Sequence, residues 1–164
     1  MTGFVGTITN KIDSKGRVSV PAPFRAVLAR DGYEGLHCYP SLDMNAIDAG
    51  GNELLAVIGA RLARFEPFTE DHDYLSTAFY GMSEALRIDQ DGRVMLSEAL
   101  KDFAGLTDQV TFVGQGYKFQ IWHPERFAEH REEARRRALV LRKGTPVSGP
   151  VAGPVSGSAT GEPS

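Results

Sequence analysis

One eight-residue block occurs twice in this chain of 164 residues. Asp13-Ser14-Lys15-Gly16-Arg17-Val18-Ser19-Val20 returns 76 positions later as Asp89-Gln90-Asp91-Gly92-Arg93-Val94-Met95-Leu96, with Asp, Gly, Arg and the first Val kept in place. The apolar spacing that follows is kept as well. Phe24, Val27 and Leu28 are answered by Leu100, Phe103 and Ala104, the i, i+3, i+4 stripe of a short helix. Internal duplication of this kind means two copies of one supersecondary unit. It also marks the polar residues that both copies retain: an Asp, a Gly and an Arg on a turn.

Asp at the first position and Gly at the fourth are the residues a type I turn favours. The carboxylate caps nearby N–H groups and glycine tolerates positive φ. In the strand that follows, Val18 and Val20 point to one face and Arg17 and Ser19 to the other. Each copy thus holds a guanidinium at the mouth of a tight hairpin, away from its buried valines, with Asp13 or Asp89 near enough to orient it. A surface ion pair beside a turn is the plain alternative, and such a pair contributes only ~0–1 kcal/mol.

The pass along the chain gives each copy the same order: strand, turn, strand, short helix, hairpin, helix. In the first copy these are Phe4–Asn10, the Asp13 turn, Arg17–Val20 and a helix over Phe24–Arg30. A hairpin from Gly35–Tyr39 and Met44–Asp48 and a helix over Asn52–Arg64 complete it, with Leu54, Leu55, Ile58 and Leu62 as the helix's apolar stripe. A further helix is expected over Glu70–Met82. The second copy runs through Ala85–Ile88, Arg93–Leu96, a helix capped by Ser97, a hairpin from Val110–Gly114 and Tyr117–Trp122, and a helix from Pro124 to about Arg142. Such a half cannot cover its own sheet, so the two are expected to interdigitate in one α+β domain, a barrel with helices outside. The expected organisation is one domain over residues 1–143. Its repeats cover about 1–64 and 84–143, and a helical segment, 65–83, joins them. Residues 144–164, rich in Gly, Pro and Ser with Glu162 as their one charge, are expected to form a disordered tail.

Net charge is −3, which argues against a uniformly basic nucleic-acid-binding surface. The distribution changes that reading. Residues 11–30 carry Lys11, Lys15, Arg17, Arg25 and Arg30 against Asp13 alone, and residues 125–143 are also net basic, whereas residues 31–124 are strongly acidic. A basic patch on an acidic body suits one electrostatic face. The single cysteine, Cys38, has no intrachain partner, and no leader or membrane-spanning run is seen, so an intracellular, cytoplasmic location is expected.

Two stretches of the chain carry a resemblance. Asn10-Lys11-Ile12-Asp13-Ser14-Lys15-Gly16-Arg17-Val18-Ser19-Val20-Pro21 is the first of them. The second runs from Asp89-Gln90-Asp91-Gly92-Arg93 through Ala104-Gly105-Leu106-Thr107 to Val113-Gly114-Gln115 and Lys118-Phe119-Gln120-Ile121-Trp122. Over about residues 1–142 the chain resembles the MraZ family, bacterial transcription regulators built from two AbrB-like repeats. The resemblance implies a swapped-hairpin β-barrel formed by the two tandem repeats, with peripheral helices, and ring-like homo-oligomers. It also implies binding of double-stranded promoter DNA repeats and repression of a cell-division and cell-wall gene cluster, its own promoter included. Family members commonly carry arginines where this chain reads Thr69-Glu70-Asp71-His72-Asp73-Tyr74.

Other candidates are weak. Asp71, His72 and Asp73 on one helix point in different directions and do not converge on an ion. His37 and Cys38 are neighbours on a strand and face opposite ways, so they form no nucleophile pair within one chain. His123 reads as the residue before a helix start. Gly114-Gln115-Gly116 lacks the residues of a phosphate loop or dinucleotide fingerprint. Arg135-Arg136-Arg137 follow Glu132 and Glu133 at helical pairing distance and read as a solvated face. No metal site, no cofactor, no small-molecule substrate and no enzymatic activity are expected.

The expected function is sequence-specific DNA binding. Lys15, Arg17 and Arg93 are the contact residues, and Asp13, Gly16, Asp89 and Gly92 support the turns. Asp91 stands where copy one has Lys15, so the second turn should be the weaker DNA element. The residues leave two alternatives open: an oligomeric protein-interaction or scaffolding module, and a barrel enzyme using Asp89 or Asp91 as a base.

Overall fold

The computed structural model describes residues 3–144; the expected tail lies almost wholly outside them. The chain divides into two compact units between Arg126 and Phe127. The first unit holds eight strands. In chain order they are β1 (Thr7–Lys11), β2 (Arg17–Ser19), β3 (Leu36–Pro40), β4 (Ile47–Gly50), β5 (Glu84–Leu86), β6 (Arg93–Met95), β7 (Gln109–Gly114) and β8 (Phe119–Trp122). Its helices are α1 (Ala22–Asp31), α2 (Asn52–Leu62), α3 (Glu70–Ser76) and α4 (Glu98–Ala104). The second unit contains most of α5 (Pro124–Lys143).

Six strands form one antiparallel sheet in the order β1-β7-β8-β4-β3-β5, and β2 and β6 pair in a separate two-stranded ribbon. Apart from the local hairpins β3–β4 and β7–β8, the partners come from opposite copies. β1 of the first copy pairs with β7 of the second, Thr7 opposite Val113, and β5 of the second pairs with β3 of the first, His37 opposite Ala85. The ribbon joins β2 to β6 with Val18 opposite Val94. Among the described residues no ladder joins the edge strands β1 and β5, so the six-stranded sheet is open and not a hydrogen-bonded closed barrel. The α+β class stands; the closed barrel is corrected to a sheet with a ribbon beside it.

The core follows from the duplicated apolar pattern. Val18, Val20, Val94 and Leu96 are each at most 2% exposed, and they pack in one cluster with Phe24, Leu28, Leu100 and Ala104. Phe4, Phe24, Phe112 and Phe119 form an aromatic knot with ring centroids 4.8–6.3 Å apart. Such pairs add ~0.5–1.5 kcal/mol beyond area burial. Phe103 departs from its counterpart Val27, being 37% exposed against 8%. The two helices end alike. Gly32 closes α1 with φ 80, donating to Ala29, and Gly105 closes the shorter α4 with φ 69, donating to Asp102. Ser97 caps α4 as expected, accepting from the Leu100 N–H at 3.2 Å.

Some boundaries move. Gly6 takes φ 94, so the first strand begins at Thr7, and Phe4 pairs only with Gly116. The helix expected over Glu70–Met82 changes pitch. It is α-helical to Ser76 and then widens into a π-turn, Thr77–Gly81, in which Met82 N–H reaches the Thr77 carbonyl at 2.8 Å. The α2 stripe is buried at Leu54, Ile58 and Leu62, while Leu55 is half-buried.

Candidate nucleic-acid interface

Both copies build the same turn. In the first, Gly16 N–H donates to the Asp13 carbonyl at 3.0 Å; in the second, Gly92 N–H donates to the Asp89 carbonyl at 2.9 Å. Gly16 and Gly92 take φ 86 and 81, the left-handed conformation that glycine alone adopts without strain. Asp13 Oδ1 accepts from the N–H groups of Lys15 and Arg17, both at 2.9 Å. Asp89 Oδ1 accepts from those of Asp91 and Arg93 at 2.9 and 3.0 Å. The turns also lock onto each other. Val20 N–H donates to the Gly92 carbonyl at 2.9 Å, and Leu96 N–H to that of Gly16 at 3.2 Å.

The ribbon sets the direction of the side chains. Val18 and Val94 face the core, while Arg17, Ser19, Arg93 and Met95 lie on the opposite face, since directly paired residues share a side. Arg17 and Arg93 side chains are 30% and 28% exposed. Lys15 is exposed at the tip of the first turn. Of the expected site residues, Arg17 and Arg93 therefore share one face of the ribbon and Lys15 is exposed at the first turn; Gly16 and Gly92 are buried, Asp13 is half-buried and Asp89 is exposed.

The electrostatics of the two arginines differ. Arg17 Nε donates to Asp13 Oδ2 at 2.8 Å, and among the described residues nothing accepts from its terminal nitrogens. Arg93 is shared by three carboxylates: Asp91 Oδ2 at 3.1 Å, Asp89 Oδ2 at 3.4 Å and Asp13 Oδ2 at 3.9 Å. Its Nε is buried and, despite the 3.4 Å approach of Asp89, makes no hydrogen bond of good geometry. The Arg17 N–H, its guanidinium and the Lys15 N–H together hold the Asp13 carboxyl below the usual carboxylate range, outweighing partial desolvation. The Arg93 and Asp91 N–H groups and the Arg93 charge do the same for Asp89.

The remaining candidates find structural places. Thr69 caps α3 and accepts from His72 N–H at 3.3 Å, so Glu70, Asp71 and Asp73 sit in the first turn, at the positive end of the helix. His37 and Cys38 are both buried in β3. Burial pushes the Cys38 thiol up to about 12 and lowers the His37 pKa. His123 Nδ1 accepts from Glu125 N–H at 3.1 Å at the start of α5. On α5 the expected Glu133–Arg137 pair forms, while Arg136 turns to Glu133 instead of the expected Glu132. Glu133 grips both Arg136 and Arg137 at 2.6 Å, within i+3 and i+4 reach. Among the described residues no group of three or more His, Cys, Asp or Glu is placed to hold a metal ion, and no helix is long and apolar enough to cross a membrane.

Sequence reasoning missed two arrangements. One is a buried polar chain, in which Lys118 Nζ meets Asp48 Oδ2 at 3.0 Å, Gln120 donates to Asp48 Oδ1 at 2.8 Å and Trp122 Nε1 donates to Gln120 at 2.9 Å. Its only sequence signal is a Gln inside the apolar run Phe119-Gln120-Ile121-Trp122. The other lies behind Gly92: a β-carbon there would stand 2.7 Å from Arg25 Nε and Cζ. Arg25 Nε donates to the Val20 carbonyl at 3.0 Å.

Known proteins resemble this chain over most of its length. Residues 79–140, which include the second turn, match the family model described as "MraZ protein, putative antitoxin-like". A protein of Beijerinckia indica subsp. indica named Transcriptional regulator MraZ is 57% identical over 143 residues, 87% of either chain. Proteins of the same name from Methylocella silvestris and Rhizobium meliloti are 54% and 41% identical. Those matches cover 87% and 82% of this chain and 87% and 92% of theirs. With this much identity over nearly the whole length of its relatives, the chain belongs to the MraZ family.

Proposed function

We propose that this chain is a sequence-specific DNA-binding transcriptional regulator, a repressor of a bacterial cell-division and cell-wall gene cluster that includes its own promoter. The observation that carries the reading is the pair of pseudo-symmetric turns on one ribbon, which put Arg17 and Arg93 on one face and the valines between them on the other. Arg17, fixed through Nε with its terminal nitrogens unclaimed, is suited to bidentate pairing with guanine in the major groove. Lys15, exposed at the tip, is suited to phosphate, which positions a protein without reading sequence. Arg93 is the weaker contact because carboxylates surround it. The relatives in Beijerinckia indica and Methylocella silvestris are likewise named as transcriptional regulators. The protein would act in the cytoplasm at the nucleoid.

The cross-copy strand pairing supports reading the open sheet and ribbon as the swapped-hairpin fold of two tandem repeats. Self-association into a closed ring is part of the same reading. A gel shift with the duplex upstream of the protein's own gene tests the function. A retarded band that weakens with salt is expected, and no band at low salt would sink the reading. Analytical ultracentrifugation at micromolar concentration should show a closed oligomer; a monomer alone would remove the ring.

A further inference from the structure

The motif residues alone do not give the turn face a positive charge. Lys15, Arg17 and Arg93 are equalled in number by Asp13, Asp89 and Asp91, and the two arginines are paired with them. A surface that is to hold phosphates needs cations from elsewhere, and the structure brings them from the helices. Arg25 on α1 of the first copy lies against Gly92 of the second turn, and Lys101 on α4 of the second copy lies against Gly16 of the first, with Nζ 3.6 Å from where a β-carbon would be. Positions 25 and 101 are separated by the same 76 residues as the turns. Each copy therefore lends one basic side chain to the turn of the other.

The two loans are unequal. Lys101 Nζ is held by Glu98 at 3.0 Å and the side chain is 19% exposed. The position matching Glu98 in the first copy is Ala22, so Arg25 has no such partner in sequence. Among the described residues Arg25 makes no ion pair; its Nε is fixed on the Val20 carbonyl and the residue is exposed. Lys15 at the first turn is likewise exposed and unpaired among the described residues. Lys15 and Arg25 are thus the uncompensated cations at the two turns, one beside each.

We propose that Arg25, not Arg93, is the phosphate-contacting cation of the second turn. It stands in for the lysine that Asp91 replaces, so that both turns grip the DNA backbone with one free charge each. This rests on the DNA-binding reading above. Gly92 acquires a second role in this arrangement. Beyond allowing φ 81, it leaves the space that the Arg25 guanidinium occupies.

The test is a set of binding titrations on the full chain, using the duplex upstream of its own gene over a range of salt. The variants are Arg25→Gln, Arg25→Lys, Arg93→Gln and Arg17→Ala. Arg25→Gln should reduce the slope of log affinity against log salt by about 0.9 for each phosphate it no longer neutralises. Arg25→Lys should restore the slope, and Arg93→Gln should change it less than Arg25→Gln does. The thermal midpoint of each variant separates folding from binding. An unchanged slope in a folded Arg25→Gln, or weakening of binding in Arg25→Lys equal to that in Arg25→Gln, would make Arg25 a packing residue and overturn the proposal. Wild-type binding by Arg17→Ala would bring down the DNA-face reading itself, a result distinct from failure at Arg25 alone.

Discussion

The first and second turns share their backbone and differ in their charge. The Asp carbonyl accepts from Gly, and the Asp Oδ1 from two N–H groups, at distances that agree within 0.1 Å between copies. Around this common frame the first turn carries Lys15 and an arginine bound by one carboxylate. The second carries Asp91 and an arginine approached by three. A duplicated unit has here kept the part that folds and varied the part that faces solvent. Backbone geometry is fixed by local hydrogen bonds that any functional divergence must respect, whereas an exposed charge costs little to exchange.

The largest effect expected from breaking this comparison is that of Arg17→Ala, which should abolish specific DNA binding while leaving the fold intact. Its side chain leaves the ribbon away from the buried valines, so truncation removes little packing. Removing a bidentate pairing to a base costs ~1–3 kcal/mol, repeated at each turn engaged by an oligomer. Filter-binding titration alongside a thermal melt checks both halves of the statement.

Next comes substitution of the paired glycines. Gly16→Ala and Gly92→Ala both force an L-residue to positive φ, at a cost of about 1–2 kcal/mol. At Gly16 the new methyl has room, the nearest side-chain atom being Lys101 Nζ at 3.6 Å. At Gly92 it meets Arg25 at 2.7 Å, so Gly92→Ala should destabilise more and should also disturb Arg25. Equal melting temperatures for the two variants would remove this asymmetry. A smaller drop in affinity is expected for Arg93→Ala than for Arg17→Ala, because Arg93 is already occupied by carboxylates.

The smallest effect is on titration. Asp13 and Asp89 are both depressed below 3.8, so their contribution to turn order is present above that value and disappears as pH falls through the folded-state pKa. Arg17 Nε donates a 2.8 Å hydrogen bond to the Asp13 carboxylate, whereas Arg93 Nε stands 3.4 Å from that of Asp89 without a hydrogen bond of good geometry. Carboxyl NMR should therefore show Asp13 rising further in Arg17→Ala than Asp89 rises in Arg93→Ala. The opposite order would mean that Arg93 is the better ion-pair partner.

The turns were legible in the sequence because Asp, Gly and a valine-bearing strand act within eight residues. The faces of Val18 and Arg17, the cap at Ser97 and the buried stripe of α2 were legible for the same local reason. Three features were not. The pairing of β1 with β7 joins residues far apart in sequence, and nothing in either strand names its partner. The π-turn at Thr77–Gly81 has no apolar period of its own. Arg25 was visible only as one charge in a basic stretch, since its role depends on α1 crossing to the other copy's turn. The same distance hid the pair between buried Asp48 and half-buried Lys118, at 6% and 14% side-chain exposure.

The cross-copy ladder also constrains the birth of the protein on the ribosome. Thr7 finds its partner only after Val113 has been made, and β2 waits for β6 in the same way. The first repeat therefore leaves the exit tunnel with two bare strand edges and, of its own sheet, only the local β3–β4 hairpin available to it. Translation at ~5–20 residues per second makes that wait several seconds long. Assembly of the sheet must follow synthesis of the second repeat, and the nascent first repeat is the stage at which this chain is most exposed to mispairing with a sister copy.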